Sequence, residues 1–239
     1  MSKLSLWKTI CLVCIFSAVG VIASSAQSFK TLLSFDGTDG GGPTAPLVQG
    51  FDGNLYGTAQ GGGASGDGTV FKITPGGALT TLHSFDLTDG ASPGGGPVLA
   101  TNGIFYGTTL SGGASSNCSG GCGTVFKITP GGNLTTLHSF DSADGSYADA
   151  ALLQATDGNF YGVTELGGAG KCTGGCGTVF KVNPAGTLTT LHSFDGTDGV
   201  GPNGALVHRT ISSLCYWRSS FETVEVAADG QLGILWSPR

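Results

Sequence analysis

From Phe29 onward, apolar and polar residues alternate over runs of four to seven positions, each closed by glycine, proline, asparagine or aspartate. Pro46-Leu47-Val48-Gln49 and Asn54-Leu55-Tyr56-Gly57-Thr58 flank Asp52-Gly53, a dipeptide suited to the positive φ of a tight hairpin. A glycine-rich loop leads to Thr69-Val70-Phe71-Lys72-Ile73-Thr74, rich in the β-branched and aromatic residues that pack on a pleated surface. After the turn Pro75-Gly76-Gly77 comes a fourth strand, Leu79 to Phe85, on which Thr81, His83 and Phe85 alternate to one side. No stretch after residue 26 keeps an apolar period near 3.6 for three turns without glycine. The pattern predicts an all-β protein.

The pattern also repeats. Ser-Phe-Asp occurs at Ser34, Ser84, Ser139 and Ser193, at spacings of 50, 55 and 54. Gly-Thr-Val-Phe-Lys begins at Gly68, Gly123 and Gly177, and an aromatic or leucine followed by Tyr-Gly centres on Tyr56, Tyr106 and Tyr161. Units of about 29–85, 86–140 and 141–194 follow, with 195–239 a degenerate fourth; the competing account is that the tail, with Trp217 and Trp236 absent from every repeat, is unrelated or truncated and leaves an open arc. In that last stretch Leu214-Cys215-Tyr216 stands for Leu-Tyr-Gly and Thr223-Val224 for Thr-Val, while Leu232 to Ser237 stands for the final strand. Four antiparallel strands in about 50 residues, repeated without linkers, predict a β-propeller-like array. A β-solenoid would use shorter coils, and separate sandwiches would need linkers. Stacked blades cover each other's faces. The stretch Phe29 to Phe35 is expected to pair with the last blade and fasten the ring.

Residues 1–26 stand apart. Lys3 and Lys8 precede an apolar run from Ile10 to Ala23, and Ser24-Ser25-Ala26 offers small residues for a peptidase, which predicts an export signal. The run is shorter than the roughly 20 apolar residues of a membrane span. Residues 27–239 then form a single repeat domain, secreted or at the cell surface, without a span after signal removal. The whole chain carries a net −6, and 213 residues without the signal carry −8, which weighs against nucleic acid and anionic membranes as partners. Only 11% of residues are charged, so Gly, Ser, Thr and Asn must form most of the surface.

Four features offer chemistry. Cys118 and Cys122 enclose Ser-Gly-Gly, and Cys172 and Cys176 enclose Thr-Gly-Gly. Four thiolates suit zinc, but an exported chain meets an oxidising compartment, and each Gly-Gly turn brings its own two sulfurs together. Two local disulfides are expected, each closing a short ring worth about 2 kcal/mol, with Cys215 left over. The turns Asp36 to Gly40, Asp86 to Gly90, Asp141 to Gly145 and Asp195 to Gly199 set carboxylates three apart, a poor match to the every-second-residue ligands of calcium loops. Acceptance of turn amides accounts for them without metal. His83, His138 and His192 recur at one position, as Lys72, Lys127 and Lys181 do, and a structural hydrogen bond is the default for the histidines. Tyr56, Tyr106 and Tyr161 either stack on sugars at a rim or fill the space between blades, the second being favoured. No cofactor, metal-ligating or catalytic set is assigned.

These recurring elements, Leu-His-Ser-Phe-Asp-Gly-Thr-Asp-Gly, Asp-Gly-Asn-Leu-Tyr-Gly-Thr and Gly-Thr-Val-Phe-Lys-Ile-Thr-Pro, resemble the GloVer tandem-repeat family of exported bacterial proteins over residues 29 to about 206. The resemblance implies a secreted or surface-attached, propeller-like protein without an established activity. The chain departs from that family in its few repeats and in an end, Leu235 to Arg239, without an apolar sorting anchor. The expected function is a binding or structural module for polysaccharide or a surface protein, not an enzyme. The alternative is an extracellular glycan hydrolase or lyase, for which Asp149 and Glu165 are the polar residues peculiar to one well-formed unit. Far-ultraviolet circular dichroism of the exported protein should report β-sheet, and a spectrum dominated by helix or coil would overturn the repeat reading.

Overall fold

The structure, a computed structural model, describes residues 29–208 together with Thr223–Val226 and Leu232–Leu235. By compactness the chain divides into Met1–Thr31 and Leu32–Arg239. Of the first part only Phe29, Lys30 and Thr31 are described, and the expected export signal lies outside the described residues.

In the second part the repeats become three four-stranded antiparallel sheets. The first holds β1 (Val48–Gln49), β2 (Leu55–Ala59), β3 (Thr69–Ile73) and β4 (Leu79–Ser84) in sequential order. The second holds β5 (Val98–Leu99), β6 (Phe105–Thr109), β7 (Thr124–Ile128) and β8 (Leu134–Ser139). The third holds β9 (Leu153–Gln154), β10 (Phe160–Thr164), β11 (Thr178–Val182) and β12 (Leu188–Ser193). The first strand of each is only two residues long. At the hairpin after it, Gly53, Gly103 and Gly158 all have φ of 79°, whereas the preceding Asp or Asn does not take a positive φ. The loop is therefore three residues ending in a left-handed glycine rather than a two-residue turn.

The last strand of each sheet departs from strict alternation. Val70 faces His83 and Phe71 faces Thr81, so the register shifts at Leu82, and the same shift recurs between Val125 and Phe126 and between Val179 and Phe180. A bulge of this kind turns His83 away from the side that Thr81 would predict for it.

The core lies between sheets. Tyr56 stacks on Phe105 with ring centroids 4.1 Å apart, and Tyr106 stacks on Phe160 at 3.9 Å. Phe85, which ends the first unit, meets Phe126 of the second edge-on at 5.4 Å, and Phe140 meets Phe180 at 5.2 Å. Phe35 makes the same contact with Phe71 at 5.0 Å. Consecutive blades thus share two aromatic contacts, the packing of a propeller-like array. Within each sheet Gly57, Gly107 and Gly162 face Phe71, Phe126 and Phe180 across the ladder. These glycines supply space: a Cβ at Gly107 would stand 2.6 Å from Cζ of Phe126.

The expected pairing of Phe29 to Phe35 with the last blade is not found, because those residues carry no strand. Instead the Leu32 carbonyl oxygen sits over Gly77 as that of Leu82 sits over Gly132 and that of Leu137 over Gly186. Leu32 to Phe35 thus lie on the first sheet as the end of one unit lies on the next. No sheet precedes the first one among the described residues, so Leu47 is 47% exposed where its counterpart Leu152 is 4%.

The tail contributes β13 (Val207–His208), β14 (Thr223–Val226) and β15 (Leu232–Leu235), with β14 and β15 antiparallel as the third and fourth strands of a unit should be. β13 pairs with β14 directly and in parallel. In the clear units the first and third strands share a direction because each is antiparallel to the second. A unit in which they pair without it between them must therefore show a parallel pair. Leu214-Cys215-Tyr216, read as the second strand, lies outside the described residues.

The packing sets two expectations for thermal or denaturant unfolding. Gly107→Ala should cost about 1–3 kcal/mol by overpacking, and Phe126→Ala about 3–5 kcal/mol by leaving a cavity between two blades. A loss below about 1 kcal/mol for Phe126→Ala would contradict the inter-blade core.

Candidate functional site

Antiparallel pairing sorts the connections between two ends of the array. The short turns between first and second strands and between third and fourth strands fall at one end. At the other end lie the β2–β3 loop and its counterparts, the acidic turns, and the segments that lead from each acidic turn into the next sheet. The histidines, acidic turns and paired cysteines belong to this second end, whereas the tyrosines, their aspartates and Lys72, Lys127 and Lys181, which lie opposite the tyrosines in the ladder, belong to the first.

The three histidines do not converge. His83 Nε2 lies 2.6 Å from Asp89 Oδ2, His138 Nε2 2.6 Å from Asp144 Oδ2, and His192 Nε2 2.7 Å from Asp198 Oδ2. The other oxygen of each aspartate closes the turn by accepting the amide of Asp86, Asp141 or Asp195. The Asp89 and Asp144 carbonyls accept the hydroxyls of the buried Thr124 and Thr178. The first unit has Leu33 in the histidine position, and Asp39 Oδ1 still accepts the Asp36 amide.

The first aspartate of each turn is engaged as well. Asp36, Asp86 and Asp195 accept the hydroxyls and amides of Thr38, Thr88 and Thr197, which hold their carboxyls below the usual range. Burial raises the Asp144 carboxyl, but the His138 hydrogen bond and the Asp141 amide outweigh it and leave it lowered. These turns are laced by their own hydrogen bonds. Among the described residues no group of three His, Cys, Asp or Glu is placed to hold a metal ion.

The tyrosines form no exposed rim. Tyr56, Tyr106 and Tyr161 are 1%, 1% and 2% exposed; the rings of Tyr56 and Tyr106 fill the gaps between blades, and Tyr161 packs in a cluster with Phe194 and Leu206. The Tyr56 hydroxyl donates to Asp52 Oδ2 at 2.8 Å and the Tyr161 hydroxyl to Asp157 Oδ2 at 2.8 Å. The second unit has Asn102 in place of this aspartate. Burial, reinforced by the accepting carboxylate, pushes the Tyr56 and Tyr161 phenols up to about 12.

The cysteines meet as two local pairs, with sulfurs 2.02 Å apart for Cys118 and Cys122 and 1.95 Å for Cys172 and Cys176. Each clip touches the following blade through its second cysteine. The Cys122 carbonyl accepts the Tyr147 amide and the Cys176 carbonyl the Gly201 amide. In the first unit Asp67 does the same for Ser92 without a disulfide. Cys215 lies outside the described residues.

Asp149 and Glu165 come from adjoining elements of this end. The Glu165 amide donates to Tyr147, two residues before Asp149, at 3.1 Å, just as Gln60 donates to Gly42 and Leu110 to Ser92. Asp149 reaches into the neighbouring repeat, where its Oδ1 is buried beside Gly94 without a hydrogen-bond partner. Burial raises its carboxyl pKa. Sequence reasoning missed Gln60 and Gly94, whose relevance rests on contacts between blades and not on any local motif. The polar residues of the tail that the three clear repeats lack, His208, Arg209, Glu222 and Glu225, have no described side-chain environment. Among the described residues no helix is long and apolar enough to cross a membrane.

Residues 18–216 match the family described as the Gloeobacter/Verrucomicrobia repeat, a span that starts within the expected export signal and reaches Tyr216. No curated protein matches the chain. Among solved structures it is similar to virginiamycin B lyase from Staphylococcus aureus, at 13% identity and TM-score 0.47, over 78% of this chain and 46% of that one. It is similar to a gluconolactonase from Xanthomonas campestris at 10% identity and TM-score 0.40, over 66% and 50% of the two chains. An endo-1,4-β-xylanase from Bacteroides thetaiotaomicron matches at 15% identity and TM-score 0.37, over 74% and 64%. The chain spans about half the length of the lyase and the gluconolactonase.

Two pH effects follow. The folded Asp144 carboxyl titrates below 3.8, so its contribution to stability is full above that value and is lost as pH falls through the depressed one. His138→Ala should remove part of this acid dependence, read as the slope of melting temperature against pH below 4. The Tyr56 and Tyr161 phenols bind their protons more tightly than in the unfolded chain, so stability should decline as pH rises from 10 to about 12. Absorbance titration should show Asp52→Asn lowering one of the two late transitions.

Proposed function

The chain belongs to the Gloeobacter/Verrucomicrobia repeat family, and from that premise we propose that it is an exported binding module whose partner is extracellular polysaccharide. One observation carries this reading. Near-identical blades set matching loops side by side at one end, and those loops differ in the residues they carry at matching positions. Thr44, Gly94, Asp149 and Asn203 stand at one repeat position, and Gln60, Leu110 and Glu165 at another. The segments that carry the first set adjoin one another, with Gly95 against Ala150 and Gly96 against Pro46. Adjacent similar loops suit a polymer that offers the same group again and again, because each further contact is made at high effective concentration.

The surface at this end carries the acidic turns, with Asp36, Asp86, Asp141, Asp195 and Glu165 exposed, and this negative charge favours neutral, hydroxyl-rich ligands over anionic ones. Two local disulfides and the family's exported character support an oxidising, extracellular setting. The apolar residues 10–23 support export by a cleaved signal.

A second reading, glycan hydrolysis or elimination, is favoured by Asp149 alone, since burial raises its carboxyl pKa, the direction a general acid needs. Its neighbour Glu165 would supply the base or nucleophile. Purified protein applied to a glycan array should bind one or more polysaccharides without cleaving them. Turnover that disappears in Glu165→Gln would establish the enzyme instead, and retention of a surface protein with no glycan bound would replace the partner.

A further inference from the structure

We infer that Asp149 and Gln60, brought together over Gly94, form a contact site for a hydroxyl group of a neutral sugar. This inference deepens the polysaccharide reading and rests on it.

Three consecutive blades meet here. Gln60 follows the second strand of the first sheet, Gly94 lies on the segment entering the second, and Asp149 lies on the segment entering the third. Asp149 Oδ1 occupies the place a side chain at Gly94 would take, and Gln60 Nε2 lies 3.1 Å from that same point. Gly94 does not have a positive φ. Its backbone conformation does not call for glycine, and the missing Cβ is what leaves room for the carboxylate. The other repeats carry Thr44, Asp149 and Asn203 at this position, so glycine is not required by the blade itself.

The carboxylate contributes nothing visible to the fold. Its Oδ1 is buried without a partner, and the half-buried side chain makes no ion pair or hydrogen bond among the described residues. An unpaired buried oxygen destabilises a folded chain. The repeat shows that Thr, Gly or Asn serves at the same place without that penalty. A group that weakens the free protein and that the scaffold does not need is explained by a partner that arrives later. The pair has complementary chemistry: a carboxyl oxygen accepts a proton in a hydrogen bond and a carboxamide nitrogen donates one. A hydroxyl, which does both, satisfies the two at once. A carboxylate or sulfate on the ligand would face Asp149 with like charge.

The test uses the full exported chain and four immobilised neutral polysaccharides, dextran, laminarin, galactomannan and xylan, with alginate as the acidic comparison. Wild type should bind at least one neutral polymer. Asp149→Ala should weaken that binding at least tenfold and Gln60→Ala severalfold, while Asp149→Ala melts at the same or a higher temperature than wild type. If wild type binds none of the polymers, the polysaccharide reading fails and takes the site with it. If wild type binds and Asp149→Ala binds equally well, or melts several degrees lower, the site alone is wrong and Asp149 is structural. Binding to alginate in preference to the neutral polymers would also overturn the site.

Discussion

A four-stranded sheet of this size cannot bury its own faces, and everything else in the chain depends on how the next sheet covers them. The cover is aromatic. Tyr56 on Phe105 and Tyr106 on Phe160 close one part of each seam, and Phe85 on Phe126 and Phe140 on Phe180 close another. Because the phenylalanine that ends one unit belongs to the core of the next, a unit defined by sequence is not a packing unit. The first sheet illustrates this: Leu32 to Phe35 lie on it in the place of a preceding unit's end, yet Leu47 stays exposed where no sheet precedes it.

Once the seams are set, the ends of the blades become fixed platforms. The acidic turns are tied to the last strand through His83–Asp89 and its two counterparts, and to the third strand through Thr124 and Thr178. The disulfide loops pass a carbonyl to the next blade. These links use up the histidines, the acidic turns and the cysteines, which are the residues that look most chemical in the sequence. What is left over at the loop-bearing end is the set that differs from unit to unit, Gln60, Asp149 and Glu165.

This division explains why a binding module is a better reading than a metal site or an aromatic sugar platform. The repeated histidines and acidic turns have partners in their own unit or the next, and each repeated tyrosine is enclosed. Symmetry in the sequence therefore marks scaffold, and departures from symmetry mark the surface that has freedom to meet something else. The disulfide clips follow the same logic, since they replace the shorter Gly61 to Asp67 loop without altering the carbonyl contact made with the following blade.

The strands, their order and the two cysteine pairings were legible in the sequence because each depends on neighbours close along the chain: alternation over a few residues, a glycine at a turn, two cysteines around Gly-Gly. The three-residue length of the hairpin loop and the bulge in the last strand were not legible there, since one residue more or less in a loop or bulge leaves almost no trace in composition. The fate of Phe29 to Phe35 and the meeting of Gln60, Gly94 and Asp149 were decided only by tertiary structure. They depend on which residue of one blade lies opposite which residue of the next, and that offset is a property of packed sheets that no single repeat contains.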